Sequence, residues 1–248
     1  MKGISMRHIY CVIIGILAAV PTAFAATPQW VIDGLLIEHP GRIQVEYLGQ
    51  FQQDPPRYRV NFNGRAFTMF EGTIGPDFHS AQLWEHAKIN PGDRVLEVGT
   101  GIGCLSIFAA ETASKVVATD IEPIAVENTK FNAEQHGVGH IVDARQGDLF
   151  GPISPNEQFD VIFFNIIYPY NQETLHFWRL HERFFAEVGQ FLAKGGRIYY
   201  QAGYFDNLGH IREMASANNF EIMEMNMWAV LRYHRQPMVF MLQRQSDI

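Results

Sequence analysis

From Arg94 onward the chain changes period repeatedly. Short apolar runs rich in β-branched and aromatic residues, "RVLEVG", "KVVATD", "FDVIFFN" and "RIYYQAG", alternate with stretches of helical spacing. A run of four to eight such residues bounded by turn signals reads as a buried strand. Strands that alternate with helices build a mostly parallel sheet with helices on both faces. The spacing predicts helices over Leu105–Ala113, Ala125–His136, Glu173–Ala193 and Leu208–Asn218, the third stopped by Gly195-Gly196. "DARQGD" reads as a short strand, and two strand-like runs close the chain.

Upstream the pattern differs. Thr27 to Gly75 is strand-rich, and Asn63-Gly64 between "RYRVNF" and "RAFTMF" is a tight-hairpin signal. A helix over His79–Lys88 follows, with Leu83, Trp84 and Ala87 on one face. At the N-terminus Lys2, Arg7 and His8 precede an apolar run, Ile9–Val20, and Ala23-Phe24-Ala25 gives an A-x-A cleavage signature. The run is shorter than the ~20 residues that span a bilayer. Residues 1–25 therefore read as a signal peptide and 26–75 as a strand-rich extension. The signal sends the chain to the periplasm or outside the cell; unused, it leaves the chain in the cytoplasm.

The formal charge of −7 becomes −9 once Lys2 and Arg7 leave with the signal. That argues against a nucleic-acid partner, which needs clustered cations. Cys11 leaves too, so Cys104 is the one cysteine of the mature chain, and the export signal comes without a disulfide framework. No transmembrane segment and no metal-ligand pattern is read; His136 with His140, and His176 with His181, have spacings that suit surface or packing histidines.

Chemistry concentrates at the ends of the predicted strands. "VLEVGTGIGCLS" is a strand, a glycine-rich turn and a helix start, where Gly99, Gly101 and Gly103 let the backbone approach a ligand. A dinucleotide fingerprint G-x-G-x-x-G would need glycine at Cys104. Glu97, a carboxylate at a buried strand end, can hold a cationic group, and Asp120, 21 positions beyond Gly99, can accept from both hydroxyls of a ribose. Asp148 is placed for an adenine amino group and Leu149 for its ring. Packing turns, helix caps and Asx turns are the plain alternatives for these residues. The strand "FDVIFFN" ends on Asn165, Ile166, Ile167 and Tyr168, an unusual exposure of apolar side chains in a loop.

In order, "VLEVGTGIGCLSIFAA", "VVATDIEPIAVENTKFNAEQHG", "QGDLF", "FDVIFFNIIY" and "LAKGGRIYY" resemble the class I S-adenosylmethionine-dependent methyltransferases, and among them the HemK-type glutamine-amide N-methyltransferases. The resemblance covers residues 76–248 and implies a doubly wound, Rossmann-like α/β fold with a seven-stranded sheet whose last strand, "PMVFMLQRQ", is antiparallel. It implies Glu97, Gly99, Thr100, Gly101, Gly103, Asp120, Ile121, Asp148 and Leu149 as contacts to S-adenosylmethionine. It further implies catalytic roles for Asn165 and Tyr168 and acceptor binding by Ile166 and Tyr168, because that family carries N-P-P-Y where this chain has Asn165-Ile166-Ile167-Tyr168. In the family the Asn oxygen and the next carbonyl accept both hydrogens of an amino group, and the tyrosine packs on the substrate. The expected function is methylation of a protein side-chain amide or amine. A silent cofactor-binding module and a small-molecule methyltransferase are the alternatives. A Rossmann dehydrogenase fits least.

Overall fold

A computed structural model describes residues 45–169, 172–202, 207–227 and 238–248. The signal-peptide reading and the first part of the strand-rich extension lie outside the described residues. The described chain opens with three antiparallel strands, β1 (Val45–Gln53), β2 (Pro56–Phe62) and β3 (Arg65–Phe70). Asn63 and Gly64 both take positive φ, 51° and 77°, between β2 and β3. This is the type I′ geometry that a two-residue hairpin selects. The free edge of β3 is covered: Asn128 and Asn132 bond to the backbone of Thr68 and Phe70 at 2.7–3.0 Å, satisfying an edge that would otherwise invite pairing.

The main domain follows as α1 (Phe78–His86), β4 (Arg94–Val98), α2 (Cys104–Ala109), β5 (Lys115–Asp120), α3 (Pro123–Gln135), β6 (Val142–Gln146) and β7 (Phe159–Phe164). It continues with α4 (Trp178–Phe191), β8 (Leu192–Ala202), α5 (Leu208–Ala217), β9 (Phe220–Met227) and β10 (Met238–Arg244). The seven strands lie in the order β6-β5-β4-β7-β8-β10-β9, parallel except for β10, which runs against both neighbours. The fold is the expected doubly wound, Rossmann-like α/β architecture, with the small sheet beside it. Among the described residues no helix is long and apolar enough to cross a membrane.

Strand alternation divides the core. Ile162, Phe164, Ile198 and Tyr200 face α4 and α5, while Val161, Phe163 and Tyr199 face α1, α2 and α3. The small sheet joins the second layer through Phe62 and Phe67, which pack on Phe108 of α2. Each such buried ring contributes roughly 1.5–3 kcal/mol.

Several expected boundaries move. The third predicted helix is a 3₁₀ turn, Gln172–Phe177, followed by α4, and it ends at Phe191 rather than running to Ala193. Gly195-Gly196 is not its stop. Leu192 already pairs with Phe159 across a bulge, so the glycines belong to β8. The last carbonyls of α4 are capped instead by Arg244, which donates to Gly189 and Leu192. The third predicted strand of the domain, "DARQGD", is observed as Val142–Gln146, so Asp148 sits in the following turn.

Candidate functional site

The strand ends of β4, β5, β6 and β7 open on one cleft of about 730 Å³, at the carboxyl edge where open parallel sheets take ligands. Glu97, Gly99, Thr100, Gly101, Asp120, Ile121, Asp148, Leu149, Asn165, Ile166 and Tyr168 all line it. Gly103 does not. A Cβ there would meet Thr129 of α3 at 2.8 Å, so this glycine serves helix packing. Gly101 is tight for another reason: a Cβ would fall 2.5 Å from the carbonyl oxygen of Ile74. Its backbone is thus pressed against the segment before α1 rather than facing open space. At Gly99 the atom that a Cβ would meet is Cγ1 of Ile166, at 2.6 Å.

At the end of β5, Asp120 accepts from Gly101 N–H at 2.9 Å through one oxygen and from Glu122 N–H at 3.0 Å through the other. The carboxylate therefore fixes the glycine turn and the residue that leads into α3, and each oxygen keeps a second lone pair for a ligand. Ile121 beside it is exposed, an apolar shelf at the mouth. Leu149 lies opposite, buried, with φ of 48°. The left-handed region costs a branched residue roughly 1–2 kcal/mol, and that strain is spent on a side chain that lines the cleft. Asp148 is paired with Arg183 of α4 at 2.9 Å, a partner that the sequence did not suggest.

Glu97 is buried. Its Oε2 accepts from Thr100 Oγ1 at 3.0 Å, Ser106 N–H at 3.0 Å and Ser106 Oγ at 2.5 Å. Burial pushes its pKa up to about 7 in spite of those donors. A carboxylate so poised accepts either a proton or a cationic ligand. The set fits S-adenosylmethionine: a carboxylate for ribose hydroxyls, apolar walls for a flat base, and a buried acid for a cationic group.

The other half of the cleft is built by the first turn of α1. Asp77 caps that helix, its Oδ1 accepting from His79 N–H at 2.9 Å and Ser80 N–H at 3.1 Å. Ser80 Oγ reaches Asp77 Oδ1 at 3.4 Å and accepts from Asn165 Nδ2 at 2.9 Å. The Asn165 amide is thereby oriented with its nitrogen spent on Ser80, so Oδ1 is the end available to accept. Tyr168 Oη lies 2.8 Å from His79 Nε2, the two rings meeting edge-on.

The loop is held from beneath as well. His181 of α4 is buried, with Nε2 3.0 Å from the Ile167 carbonyl and Nδ1 2.5 Å from the Tyr200 hydroxyl. Because a carbonyl can only accept, Nε2 carries the hydrogen and Nδ1 receives the hydroxyl of Tyr200. Burial lowers the His181 pKa to about 4, so it stays neutral. Sequence alone does not mark His79, Ser80 or Tyr200 as site residues. A signal existed for the first two, since Asp77 three residues before Ser80 is a helix-start signature. His181 is the packing histidine that its spacing suggests, and it also carries two directed hydrogen bonds.

Comparison with known proteins adds to this geometry. A family model described as "Methyltransferase domain" matches residues 89–242, more than half of the chain. A ribosomal protein L11 methyltransferase of Geobacillus thermodenitrificans is 37% identical over 111 residues, 44% of this chain and 32% of that protein. A release factor glutamine methyltransferase of Cereibacter sphaeroides is 33% identical over 106 residues, 42% of this chain and 37% of that protein. The chain thus spans about a third of the length of these curated relatives. Among solved structures, a ribosomal protein L11 methylase from Lactobacillus delbrueckii subsp. bulgaricus superposes with a TM-score of 0.57 at 21% identity, over 71% of this chain and 84% of that one. A Methanocaldococcus jannaschii tRNA m1G37 methyltransferase gives 0.61 at 17% identity, over 76% and 54%. At such identities the superpositions speak for the fold alone.

Proposed function

The chain belongs to the methyltransferase-domain family, whose cofactor is S-adenosylmethionine, and on that premise we propose that it methylates a nitrogen of a protein side chain, an amide or an amine. The observation that carries this is the fixed orientation of Asn165, whose amide nitrogen is engaged by Ser80 while it lines the same cleft as Asp120 and the glycine turn. Two sequence relatives named for protein acceptors, ribosomal protein L11 and a release factor, support the choice of a protein. The HemK-type amide acceptor is one option within it.

When bound, the cofactor supplies a methyl group on positively charged sulfur, so the transfer needs no acid. What the chain supplies is alignment and exclusion of water. With the cofactor bound, Asp120 would hold the ribose hydroxyls, Ile121, Asp148 and Leu149 would hold the base, and Glu97 would offer its carboxylate to the cationic end. Gly99, Thr100 and Gly101 bring backbone close to the ligand. Asn165 Oδ1 and the Ile166 carbonyl accept the two acceptor hydrogens, and the Tyr168 ring packs on the acceptor. A silent cofactor binder is the second reading, favoured by Ile166, whose side chain covers Gly99.

Calorimetric titration with S-adenosylmethionine, followed by transfer of isotopic methyl label to a total bacterial protein extract, tests the proposal. Label on side-chain nitrogen supports it; tight binding with no transfer to protein or small-molecule fractions establishes the silent reading. Export belongs to the same proposal, and mass spectrometry of the native protein is expected to find Ala26 first.

A further inference from the structure

We propose that Asp77, His79 and Tyr168 form a proton relay for the proton that the acceptor nitrogen gives up on methylation, an inference that rests on the nitrogen-methyltransferase reading above. Two distances define it: Tyr168 Oη to His79 Nε2, 2.8 Å, and His79 Nδ1 to Asp77 Oδ2, 2.7 Å. An ionised carboxylate only accepts, so Nδ1 of the neutral ring carries the hydrogen and Nε2 is the basic nitrogen. Tyr168 then donates its phenolic hydrogen to His79, and its oxygen is the side of the pair that an acceptor N–H can approach.

Asp77 divides its labour. The helix cap uses Oδ1, which takes both backbone N–H groups, while the ring bond uses Oδ2. The cap therefore does not explain the contact with His79. Carboxylate, imidazole and phenol run in series from the solvent side inward: the Asp77 side chain is 51% exposed, that of His79 12%, and Tyr168 is buried against the cleft. Among the described residues, the charged and titratable groups around the relay include Asp77 on its own turn, Tyr47 of β1, which donates to the neighbouring Pro76 carbonyl, and Glu97 and Asp120, which line the same cleft.

In the reaction, the nitrogen lone pair forms the N–C bond and the electrons of the broken C–S bond stay on sulfur. Once the N–C bond has formed, one of the hydrogens held by Asn165 Oδ1 and the Ile166 carbonyl is surplus, and it passes to the Tyr168 oxygen while the phenolic hydrogen moves to Nε2 of His79. The imidazolium is paired with Asp77 and discharges to water at the exposed end. Tyr168 is the catalytic residue of the three; His79 and Asp77 act through it.

The first test needs no acceptor. Nitrogen-15 NMR of histidine-labelled full-length protein should show neutral His79 as the Nδ1–H tautomer, with the Nε2 resonance moving in Tyr168→Phe. The Nε2–H tautomer overturns the relay. In the second test, His79→Gln keeps polar contacts but cannot carry a proton. Its rate of label transfer from S-adenosylmethionine to a bacterial protein extract should fall about tenfold or more. Added imidazole should restore part of the rate in His79→Ala, and cofactor affinity should stay within about twofold in both variants. Unchanged transfer by His79→Gln overturns the relay and leaves the methyltransferase reading standing. Absence of transfer by the wild type to any nitrogen overturns that reading and the relay's chemical role with it.

Discussion

Replacing His181 by Phe separates two jobs that this ring performs, supporting the core and fixing the loop that carries Asn165 and Tyr168. Phe keeps a ring between Phe164 and Trp178, whose centroids lie 5.2 and 5.5 Å away, and removes both hydrogen bonds. Each lost bond costs ~1 kcal/mol, and the stranded Tyr200 hydroxyl adds ~1–3 kcal/mol, so the variant should lose about 3–5 kcal/mol in denaturant melts at pH 7.5. Adding Tyr200→Phe removes the stranded hydroxyl and should return roughly half of that loss. Activity should not return, because the Ile167 carbonyl lacks its donor in both variants; methyl transfer is expected to stay about tenfold down. A pH arm sharpens the test. Burial sets the folded pKa of His181 at about 4, against 6.5 in the unfolded chain. Between these values the unfolded chain binds more protons, so this ring makes stability rise with pH, by ~3 kcal/mol in all. Glu97, raised to about 7 from 4.5, tilts the same window the other way, so the wild-type profile partly cancels. The difference between His181→Phe and wild type should shrink as pH falls from 7 to 4. A constant difference, or full activity in the double variant, refutes the reasoning.

Glu97→Gln should gain stability over wild type as pH rises from 4.5 to 8, by up to about 3 kcal/mol before the altered hydrogen bonds are counted. In the wild type, cofactor binding near pH 7 should release protons, read by calorimetry in buffers of different ionisation enthalpy; uptake would contradict a cation beside Glu97. Asp120→Ala should weaken cofactor binding by roughly 1.5–3 kcal/mol and should also loosen the glycine turn, seen as faster hydrogen exchange at Gly101. Asn165→Ala should leave cofactor affinity nearly unchanged and lower turnover about tenfold or more; equal turnover would make the loop a packing element. Asn132→Leu removes three bonds, to Thr68 and Ile102, and should cost about 2–4 kcal/mol in thermal or urea melts.

Much of this architecture was legible because it is written locally. The run Phe159–Phe164 declares a buried strand through composition, and Asn63-Gly64 declares its hairpin through the φ values that it tolerates. Asp120 and the glycines were legible because a strand end followed by a helix start places them at the sheet's carboxyl edge. The errors came where a distant residue took over a local task. Gly195-Gly196 looked like a helix stop, but Arg244, in the last strand, caps the carbonyls of α4, and β8 begins before the glycines. Gly101 lines the cleft, but the place of its missing Cβ is taken by the Ile74 carbonyl, a contact that the glycine-rich turn does not announce. A local pattern cannot report which remote backbone will lie against it.

The loop after β7 shows the same limit in its functional form. A loop can be rigid because its residues have few conformations, as with two prolines, or because its polar groups are tied to a scaffold. The first kind is visible in four letters, and by that measure Asn165-Ile166-Ile167-Tyr168 lacks it. The second kind needs the fold. Asn165 is tied to Ser80, 85 positions earlier, Tyr168 to His79, 89 positions earlier, and the Ile167 carbonyl to His181 of the following helix. Hydrogen bonds at three of four consecutive residues fix a backbone path that the isoleucines alone would leave open. They also make it conditional: the path depends on the cap of α1 and on a histidine kept neutral by burial, so perturbing either should alter the site while leaving the loop's own sequence untouched.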